Sequence, residues 1–332
     1  MTEELGDHVT SSRTTGVADI ATECTAVLDA VGTVLVGRQR SLRLALAAVL
    51  AGGHVLLEDV PGLGKTLLAR SLAQALHLDF RRLQCTPDLL PADVTGSFLY
   101  DPTEREFSFR SGPIFTGLLL ADEINRTPPK TQSALLEAMQ ERQVTVEGRT
   151  FPLPRPFHVL ATANPVEYEG TYPLPEAQLD RFLVRLDIGY PPVDEEVEVL
   201  RRRLVRQREE TEVPPVFEPT RLAELQAGVE RVAVDEDVLR YCVDLASSTR
   251  AHPAVEVGAS PRGALALVLV ARALAVLDGR EFVLPEDVKE CAVAALAHRL
   301  TLRPETWTSG TTGVEVVTEL LGKVPGPAST RS

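Results

Sequence analysis

A short loop carries the strongest chemical signal in the sequence, since two glycines precede an adjacent lysine and threonine: Asp59-Val60-Pro61-Gly62-Leu63-Gly64-Lys65-Thr66-Leu67. It lies between an apolar run typical of a buried strand and a helical pattern, which is the context that a phosphate-binding loop requires. Glycines let the backbone wrap phosphate oxygens, and the free N–H groups of a helix N-terminus attract anions. We therefore expect Lys65 to reach the β- and γ-phosphates of a nucleotide and Thr66 to hold Mg²⁺. The usual pattern begins with glycine, where this sequence has Asp59.

Two further apolar runs end in residues that suit the same chemistry. The run from Leu118 is followed by Asp122, which would bind Mg²⁺, and by Glu123, which would orient or deprotonate the attacking water. The run from His158 is followed by Asn164, whose amide would contact the γ-phosphate or position that water. A solvated strand end would also explain the two acids, and an Asn-Pro pair alone usually marks a turn.

Two arginines farther along the chain are candidates for stabilising charge. Arg181 follows a short helical pattern, and Arg262 opens a helix. An arginine that stabilises a transferring phosphoryl group can come from a neighbouring subunit, and it accelerates the reaction by about 10³–10⁵. From spacing alone, a surface salt bridge explains either residue equally well.

Strand and helix patterns alternate through the first half of the chain. Nearly continuous apolar runs at 54–58, 118–121 and 158–161 predict strands that are buried on both faces of a parallel sheet. Helical patterns between them, notably 67–76 and 131–140, predict crossover helices. The sequence thus predicts an α/β fold, in which a parallel sheet has helices on both faces and a smaller all-α domain follows.

A break at Gly189-Tyr190-Pro191-Pro192 separates this alternating pattern from an almost wholly helical one. We predict a flexible N-terminus, an α/β core, an α-helical lid domain and a disordered tail, with bounds at 1–16, 17–191, 192–324 and 325–332. Further helices are predicted at 17–36, 39–50, 194–208, 219–230, 235–247, 262–277, 285–300 and 314–321. Two short patterns, 97–109 and 144–151, predict hairpins. Such inserts commonly contact partners, and a structural brace is an equal alternative.

Composition indicates a globular chain without the signature of a nucleic-acid-binding protein. It has 34 Lys and Arg against 47 Asp and Glu, a net charge of −13, so there is no global basic footprint. Arginines at 201–208 lie among glutamates, which favours a solvated helix of mixed charge. The four cysteines lie far apart, which favours buried thiols in a reducing cytosol. Without a long apolar run or a signal-peptide pattern, we expect a cytoplasmic protein with no membrane span.

The sequence resembles the MoxR family of AAA+ ATPases over nearly its whole length, from about Val36 to Leu321. The resemblance is specific, because several motifs match that family's form, including Asp59 in the phosphate loop. The matching motifs are Glu58–Thr66, Thr86–Pro91, Ala121–Arg126, Leu135–Glu141 and Tyr172–Phe182.

The resemblance implies a role for each candidate residue. By position, Lys65 and Thr66 would be the Walker A residues, Asp122 and Glu123 Walker B, Asn164 sensor 1, Arg181 the arginine finger and Arg262 sensor 2. The two hairpins would be the helix-2 insert and the insert before sensor 1. Arg126 and Arg142 are alternative candidates for the arginine that reaches a neighbouring subunit.

The resemblance also implies cofactors and partners. It implies ATP and Mg²⁺, a homo-oligomeric ring, expected to be a hexamer, and activity where subunits meet. Families of this kind act as chaperone-like motors in the maturation or cofactor insertion of a client protein complex, often with a partner that carries a von Willebrand factor A domain. In that mechanism ATP would lie between core and lid, and Arg262 would couple its phosphates to the lid.

Other functions suit the same motifs. An ATP-switched regulatory module would bind nucleotide with little turnover, but such a switch does not need Glu123. A DNA-remodelling motor is disfavoured by the charge of −13, although a basic pore could be hidden in an acidic ring. A metal-chelatase motor has a closely related architecture, and the form of the phosphate loop favours the chaperone over it.

Overall fold

The computed structural model describes residues 16–165, 170–207 and 212–327. The helices are α1 (Val17–Gly32), α2 (Gln39–Leu50), α3 (Lys65–Ala75), α4 (Pro91–Thr95), α5 (Pro129–Glu141), α6 (Glu176–Leu179), α7 (Val193–Arg206), α8 (Arg221–Val229), α9 (Glu236–Ala251), α10 (Pro261–Leu277), α11 (Pro285–Leu296) and α12 (Gly313–Lys323). The strands are β1 (Val55–Glu58), β2 (Phe80–Gln84), β3 (Gly96–Asp101), β4 (Glu106–Ser111), β5 (Leu118–Asp122), β6 (Gln143–Val146), β7 (Arg149–Pro152), β8 (His158–Ala163), β9 (Val184–Leu186), β10 (Val255–Val257) and β11 (Thr301–Leu302).

A five-stranded sheet of order β2-β5-β8-β1-β9 lies at the centre of the described residues. All of its pairings are parallel, and the three inner strands are the three predicted apolar runs. The two outer strands were not predicted. In β2 only Leu83 is buried among polar neighbours, and β9 has three residues. An edge strand needs no continuous apolar run, because solvent contacts one side of it.

The parallel arrangement brings the candidate residues to one edge. Strands β1, β5 and β8 are neighbours and point the same way, so their carboxyl ends meet. The loop that begins at Asp59 follows β1, Asp122 ends β5, and Asn164 follows β8. The predicted α/β fold with a helical lid is confirmed, and the sheet positions the site.

Two helix bounds differ from the prediction, and the first of them concerns the phosphate loop. Helix α3 begins at Lys65 rather than Leu67, so the lysine and threonine of the loop lie in the first helical turn. Helix α1 ends at Gly32 rather than near Val36. The Arg202 guanidinium donates to the carbonyl oxygen of Thr33 at 2.6 Å, which pairs a terminal carbonyl with a side chain.

Both predicted hairpins are present, and aromatic side chains connect them. Strand β3 pairs antiparallel with β4, and β6 with β7. The rings of Phe109 and Phe151, one from each hairpin, stack with centroids 4.0 Å apart. This contact favours the structural-brace interpretation. The outer pair Tyr100 and Phe107 remains exposed, so the same hairpin also offers an aromatic surface.

The helical C-terminal part packs closely against the first two helices. Buried residues of α1, α2 and α10 belong to one continuous hydrophobic core. After α7 the chain returns to the α/β core, where the amide of Val216 donates to the carbonyl of Ala75 at 2.9 Å. A boundary near residue 192 therefore remains a proposal. The predicted flexible N-terminus and disordered tail lie, apart from residue 16 and residues 325–327, outside the described residues.

All four cysteines are buried and free, as predicted. Burial raises the pKa of Cys24 to about 12 and that of Cys85 to about 11, so these thiols stay protonated and unreactive. Among the helices of the described ranges, none combines the length and apolar character needed to cross a lipid bilayer.

Two buried histidines lie at the amino-terminal ends of β1 and β8, and their hydrogen bonds and burial favour the neutral form. The His54 Nδ1 atom accepts the amide of Val159 at 3.0 Å, so its Nε2 carries the proton next to the Met139 carbonyl. The His158 Nδ1 atom lies 2.9 Å from the Gly53 carbonyl and carries the proton of that ring. Burial lowers the pKa of His54 to about 3 and that of His158 to about 4.

We expect these histidines to destabilise the fold in acid. The unfolded chain takes up their protons below about pH 6.5, whereas the folded chain takes them up only near pH 3–4. The free energy of unfolding therefore decreases as the pH is lowered from about 6.5 toward 4. At pH 5 the loss is about 2 kcal/mol for each histidine. Urea unfolding at pH 7 and pH 5 measures this loss of free energy. In His158→Gln the loss between the two pH values should be smaller than in the parent by the contribution of one histidine. An equal loss in parent and variant would contradict the assignment.

Candidate active site

The phosphate loop has the backbone that its glycines predict. Gly62 and Gly64 have φ angles of +85° and +88°, a backbone conformation that residues with a Cβ rarely adopt. Gly64 is also the N-cap of α3, so the free N–H groups of the first helical turn face the loop. No atom lies within 4 Å of a Cβ built on Gly62, which leaves room for phosphate oxygens.

Lys65 connects the loop to the neighbouring strand. Its Nζ atom donates to the carbonyl oxygen of Asp59 at 2.5 Å and lies 3.4 Å from that of Ala163 at the end of β8. Burial lowers the pKa of Lys65, while the carboxylates of Asp59, Asp122 and Glu123 oppose that shift. The ammonium group therefore lies at the carboxyl edge of the sheet, next to two backbone carbonyl oxygens, where a bound phosphate would be a further acceptor.

Asp122 is held by residues from both neighbouring strands. The hydroxyl of Thr162 donates to its Oδ1 at 2.6 Å. The Arg82 guanidinium donates two hydrogen bonds to its Oδ2, at 2.6 and 3.0 Å. Thr162 also accepts the amide of Glu123 at 2.8 Å. The carboxylate is buried and fixed in orientation, as a metal ligand requires.

Glu123 has a strained backbone that aims its side chain along the sheet edge. Its φ is +60°, which is costly for a residue with a Cβ and is frequent at functional sites. The amide of Gln84 donates to its Oε2 at 3.1 Å, and the same oxygen lies 3.4 Å from the Arg126 guanidinium. One alternative arginine, Arg126, therefore contacts the candidate base of its own chain.

Asn164 is anchored by a second asparagine. The side chain of Asn125 donates to the Asn164 carbonyl oxygen at 3.1 Å and accepts the Asn164 amide at 3.4 Å. Asn164 itself is buried directly after β8. These contacts hold the sensor candidate at the same edge as Asp122 and Glu123.

Asp59 begins the predicted nucleotide-binding loop, and its side chain hydrogen-bonds to backbone amides. Its Oδ1 accepts the amide of Val60 at 2.8 Å, and its Oδ2 accepts the amides of Ile188 and Gly189 at 2.9 and 2.5 Å. A carboxylate aimed at phosphates would repel them, and these amides satisfy its charge instead.

Arg181 and Arg262 lie together, at the opposite end of β1 from the phosphate loop. They line a surface cavity of about 390 Å³ with Gly52, Gly53 and His54, which precede that strand. The Arg181 Nη1 atom donates to the carbonyl of Leu136 at 2.5 Å. Arg262 had been expected beside the phosphates bound by its own chain, and the structure does not bring it there.

Two more arginines belong to that cavity. Arg142, the other alternative arginine, donates to the carbonyl of Gly52 at 2.9 Å. Arg299 is almost fully buried and donates to Asp180 Oδ1 at 2.8 Å and to the carbonyl of Phe182 at 2.8 Å. Arg299 thus fixes the segment that carries Arg181.

The side chains at the carboxyl edge suit a Mg²⁺ ion bound together with a nucleotide. Mg²⁺ takes one or two protein oxygens and fills its remaining positions with phosphates and water. Thr66, in the first turn of α3, and the fixed carboxylate of Asp122 supply such oxygens. Across the described ranges no group of three or more His, Cys, Asp or Glu is placed to hold a metal ion.

Several residues of this arrangement escaped the sequence analysis. Arg82 and Gln84 lie on the edge strand β2, which has no apolar signal. Thr162 had a usable signal, because it is a polar residue near the end of β8, two residues before Asn164. Asp180 and Arg299 are far apart in sequence, and only the packed fold brings them together.

Comparison with known proteins matches two parts of the chain to families. Residues 54–184 match the ATPase family associated with various cellular activities (AAA), and residues 247–320 match the AAA lid domain. The uncharacterised protein YeaC of Bacillus subtilis is 50% identical over 297 residues, which cover 90% of this chain and 92% of YeaC. Chaperone MoxR1 of Mycobacterium tuberculosis is 44% identical over 280 residues, 81% of this chain and 73% of its own. A crystal structure of a candidate ATPase from Cytophaga hutchinsonii is 40% identical with a TM-score of 0.87, covering 94% of this chain and 97% of that one.

Proposed function

The chain belongs to the MoxR family of AAA+ ATPases, and from this premise we propose that it hydrolyses ATP at sites shared between the subunits of a hexameric ring. The observation that carries the first half is the meeting of Lys65, Asp122, Glu123 and Asn164 at one edge of the sheet. The second half is carried by the two arginines at the other end of β1.

The proposed reaction uses each residue at that edge. Lys65 and the amides of the loop bind the β- and γ-phosphates. Mg²⁺, when bound by Thr66 and Asp122, supplies positive charge that offsets the charge of the phosphates. Glu123 takes a proton from the attacking water, which Asn164 positions beside the γ-phosphate. Gln84 holds the carboxylate of Glu123 until water is in place.

The remaining charge would be stabilised by the neighbouring subunit. Because Arg181 and Arg262 lie away from the phosphate loop of their own chain, we assign both to the nucleotide bound by an adjacent copy. Asp180 lies between them: its carboxylate pairs with Arg299 and is 4.0 Å from the Arg262 guanidinium. A shift of the helical part would thereby move both arginines relative to the neighbouring nucleotide.

Helix α7 offers a surface for such assembly, because its apolar residues face outward. Val193, Val197, Leu200 and Leu204 are 76%, 47%, 61% and 75% exposed, and their spacing places them on one face. The polar Arg202 instead faces the chain and donates to the Thr33 carbonyl. Within the described structure no residue of α7 is buried. An exposed apolar stripe of this kind typically marks a contact between proteins.

We expect Leu200→Asp to prevent assembly, since it places a charge in that stripe. Light scattering should show a smaller species, and ATPase activity per subunit should fall at least tenfold at micromolar protein. In the parent, specific activity should rise with protein concentration until the ring is complete.

The matched control is Val205→Asp, which adds the same charge at a valine of α7 that is 80% exposed and lies on a different face of the helix. It should assemble and hydrolyse ATP as the parent does. A parent whose specific activity is independent of concentration would refute shared sites, and equal behaviour of the two variants would remove the stripe from the interface.

We further propose that ATP turnover drives a chaperone-like activity on a client protein complex, assisted by a partner with a von Willebrand factor A domain. Similarity to the Mycobacterium tuberculosis protein named as a chaperone supports the activity. The exposed pair Tyr100 and Phe107 gives the ring an aromatic surface for a client. Loss of client maturation in cells that carry Lys65→Ala would test the dependence on ATP.

A further inference from the structure

One residue of the phosphate loop is joined to two different parts of the chain. The backbone carbonyl of Asp59 accepts a hydrogen bond from Lys65, the residue that reaches the phosphates. Its carboxylate accepts the amides of Ile188 and Gly189, which follow β9. These two residues are distant from the loop in sequence. Strands β1 and β9 bring the two segments side by side, and the carboxylate joins them beyond the strand ends.

The segment that receives this carboxylate has the features of a hinge. Gly189 has a φ of +68°, a conformation that glycine adopts without strain. Pro191 and Pro192 follow and have no N–H group with which to anchor the chain. Helix α7, with its outward apolar stripe, begins at Val193. Only the amide of Tyr190 lies between the amides that Asp59 accepts and the two prolines.

We propose that Asp59 is a positioning residue that couples the phosphate loop to the hinge before α7. The inference rests on the proposed function, because it gives the loop a nucleotide to sense. When the Lys65 ammonium moves from the Asp59 carbonyl to a phosphate, that carbonyl loses its hydrogen bond and the Asp59 backbone can shift. Because the carboxylate is hydrogen-bonded to the amides of Ile188 and Gly189, a shift of Asp59 would move these residues. Helix α7, which follows them and carries the apolar stripe, would move with them.

The geometry explains why aspartate can stand where the usual motif has glycine. Unlike Gly62 and Gly64, Asp59 is not among the residues with a positive φ, so the backbone at this position does not need a glycine. The three amide donors divide between the two carboxylate oxygens. Asparagine has one acceptor oxygen and would turn an N–H group toward the others, and glycine would leave all three without this acceptor.

Two variants test the coupling, with Asp187→Asn as the matched control. Asp59→Asn keeps the size of the side chain, and Asp59→Gly restores the usual loop residue. Asp187 is an exposed neighbour of the hinge, so its variant removes the same charge without touching these amides. Hydrogen exchange of the peptide spanning 184–193 is measured by mass spectrometry, with and without a non-hydrolysable ATP analogue. Binding of a fluorescent ADP derivative and steady-state kcat are measured in parallel.

We expect both Asp59 variants to exchange about tenfold faster at Ile188 and Gly189, because charge-assisted hydrogen bonds are lost. The exchange should no longer respond to the analogue. Binding should stay within about threefold of the parent, since the loop amides and Lys65 remain, while kcat should fall about tenfold. A loss confined to kcat and hinge exchange is not what a merely structural defect in the loop would produce. The control should match the parent throughout.

Exchange at the hinge that stays as in the parent in both variants would overturn the proposal. If circular dichroism shows that both variants fail to fold, the measurement on the parent is the test. Hydrogen exchange at residues 188 and 189 of the parent that is the same with and without the analogue would overturn the coupling. If the parent binds the fluorescent ADP but does not hydrolyse ATP, the proposed function fails, while the hinge measurement still tests Asp59.

Discussion

Glu123→Gln should lower the ATP turnover number by about 10²–10⁴, the usual contribution of a positioned general base. Glutamine has the same shape as glutamate and can still accept the hydrogen bond that Gln84 donates, so the site should keep its geometry. Nucleotide affinity should stay close to that of the parent, because the loop and Lys65 are unchanged. Phosphate release at saturating ATP gives the turnover number, and titration with a fluorescent nucleotide gives the affinity.

The control for this variant is Glu236→Gln, which removes an equivalent charge from an exposed position at the start of α9. It should leave both quantities unchanged. If Glu123→Gln hydrolyses ATP at the parent rate, Glu123 is not the base, and the strained backbone at that position needs another explanation.

Arg181→Ala should have an effect of similar or greater size, a loss of about 10³–10⁵ in kcat, because the guanidinium would stabilise charge that develops only in the transition state. Nucleotide binding should survive, since Arg181 lies away from the phosphate loop of its own chain. Arg240→Ala, an exposed arginine of α9, should be silent in both assays.

Arg181 also donates to the carbonyl of Leu136, so its removal carries a structural cost. Arg181→Lys separates the two roles. Lysine keeps a positive charge and a donor but lacks the planar fork that grips phosphate oxygens. A variant that folds and assembles like the parent yet remains slow would place the loss in the chemistry. Full activity in Arg181→Lys would argue against a bidentate grip on the phosphate.

The carboxyl edge of the sheet was predictable because its residues follow strands with strong signals. The loop that carries Lys65 follows the first apolar run, Asp122 ends the second strand and Asn164 follows the third, and parallel pairing brings these positions together. The identity of each residue and its place in its own element were enough to predict that they meet.

The rest depended on contacts that no local pattern encodes. Arg82 and Gln84 lie on an edge strand whose residues are mostly polar, and such a strand is not distinguishable from a loop by periodicity. Arg262 was expected at the phosphates because its position matches sensor 2 of the MoxR family. How its helix packs is decided by the shared core of α1, α2 and α10. The role of Asp59 likewise follows from two amides far along the chain.

The most direct test of the account mixes two inactive proteins, Glu123→Gln and Arg181→Ala, in equal amounts and measures ATP hydrolysis. In a ring that assembles at random, a site is complete when an Arg181→Ala subunit binds the nucleotide and a Glu123→Gln subunit supplies the arginine. About one site in four meets both conditions, so we expect about a quarter of the parent activity. A mixture as inactive as its components would mean that each chain completes its own site, and the shared-site mechanism would be wrong.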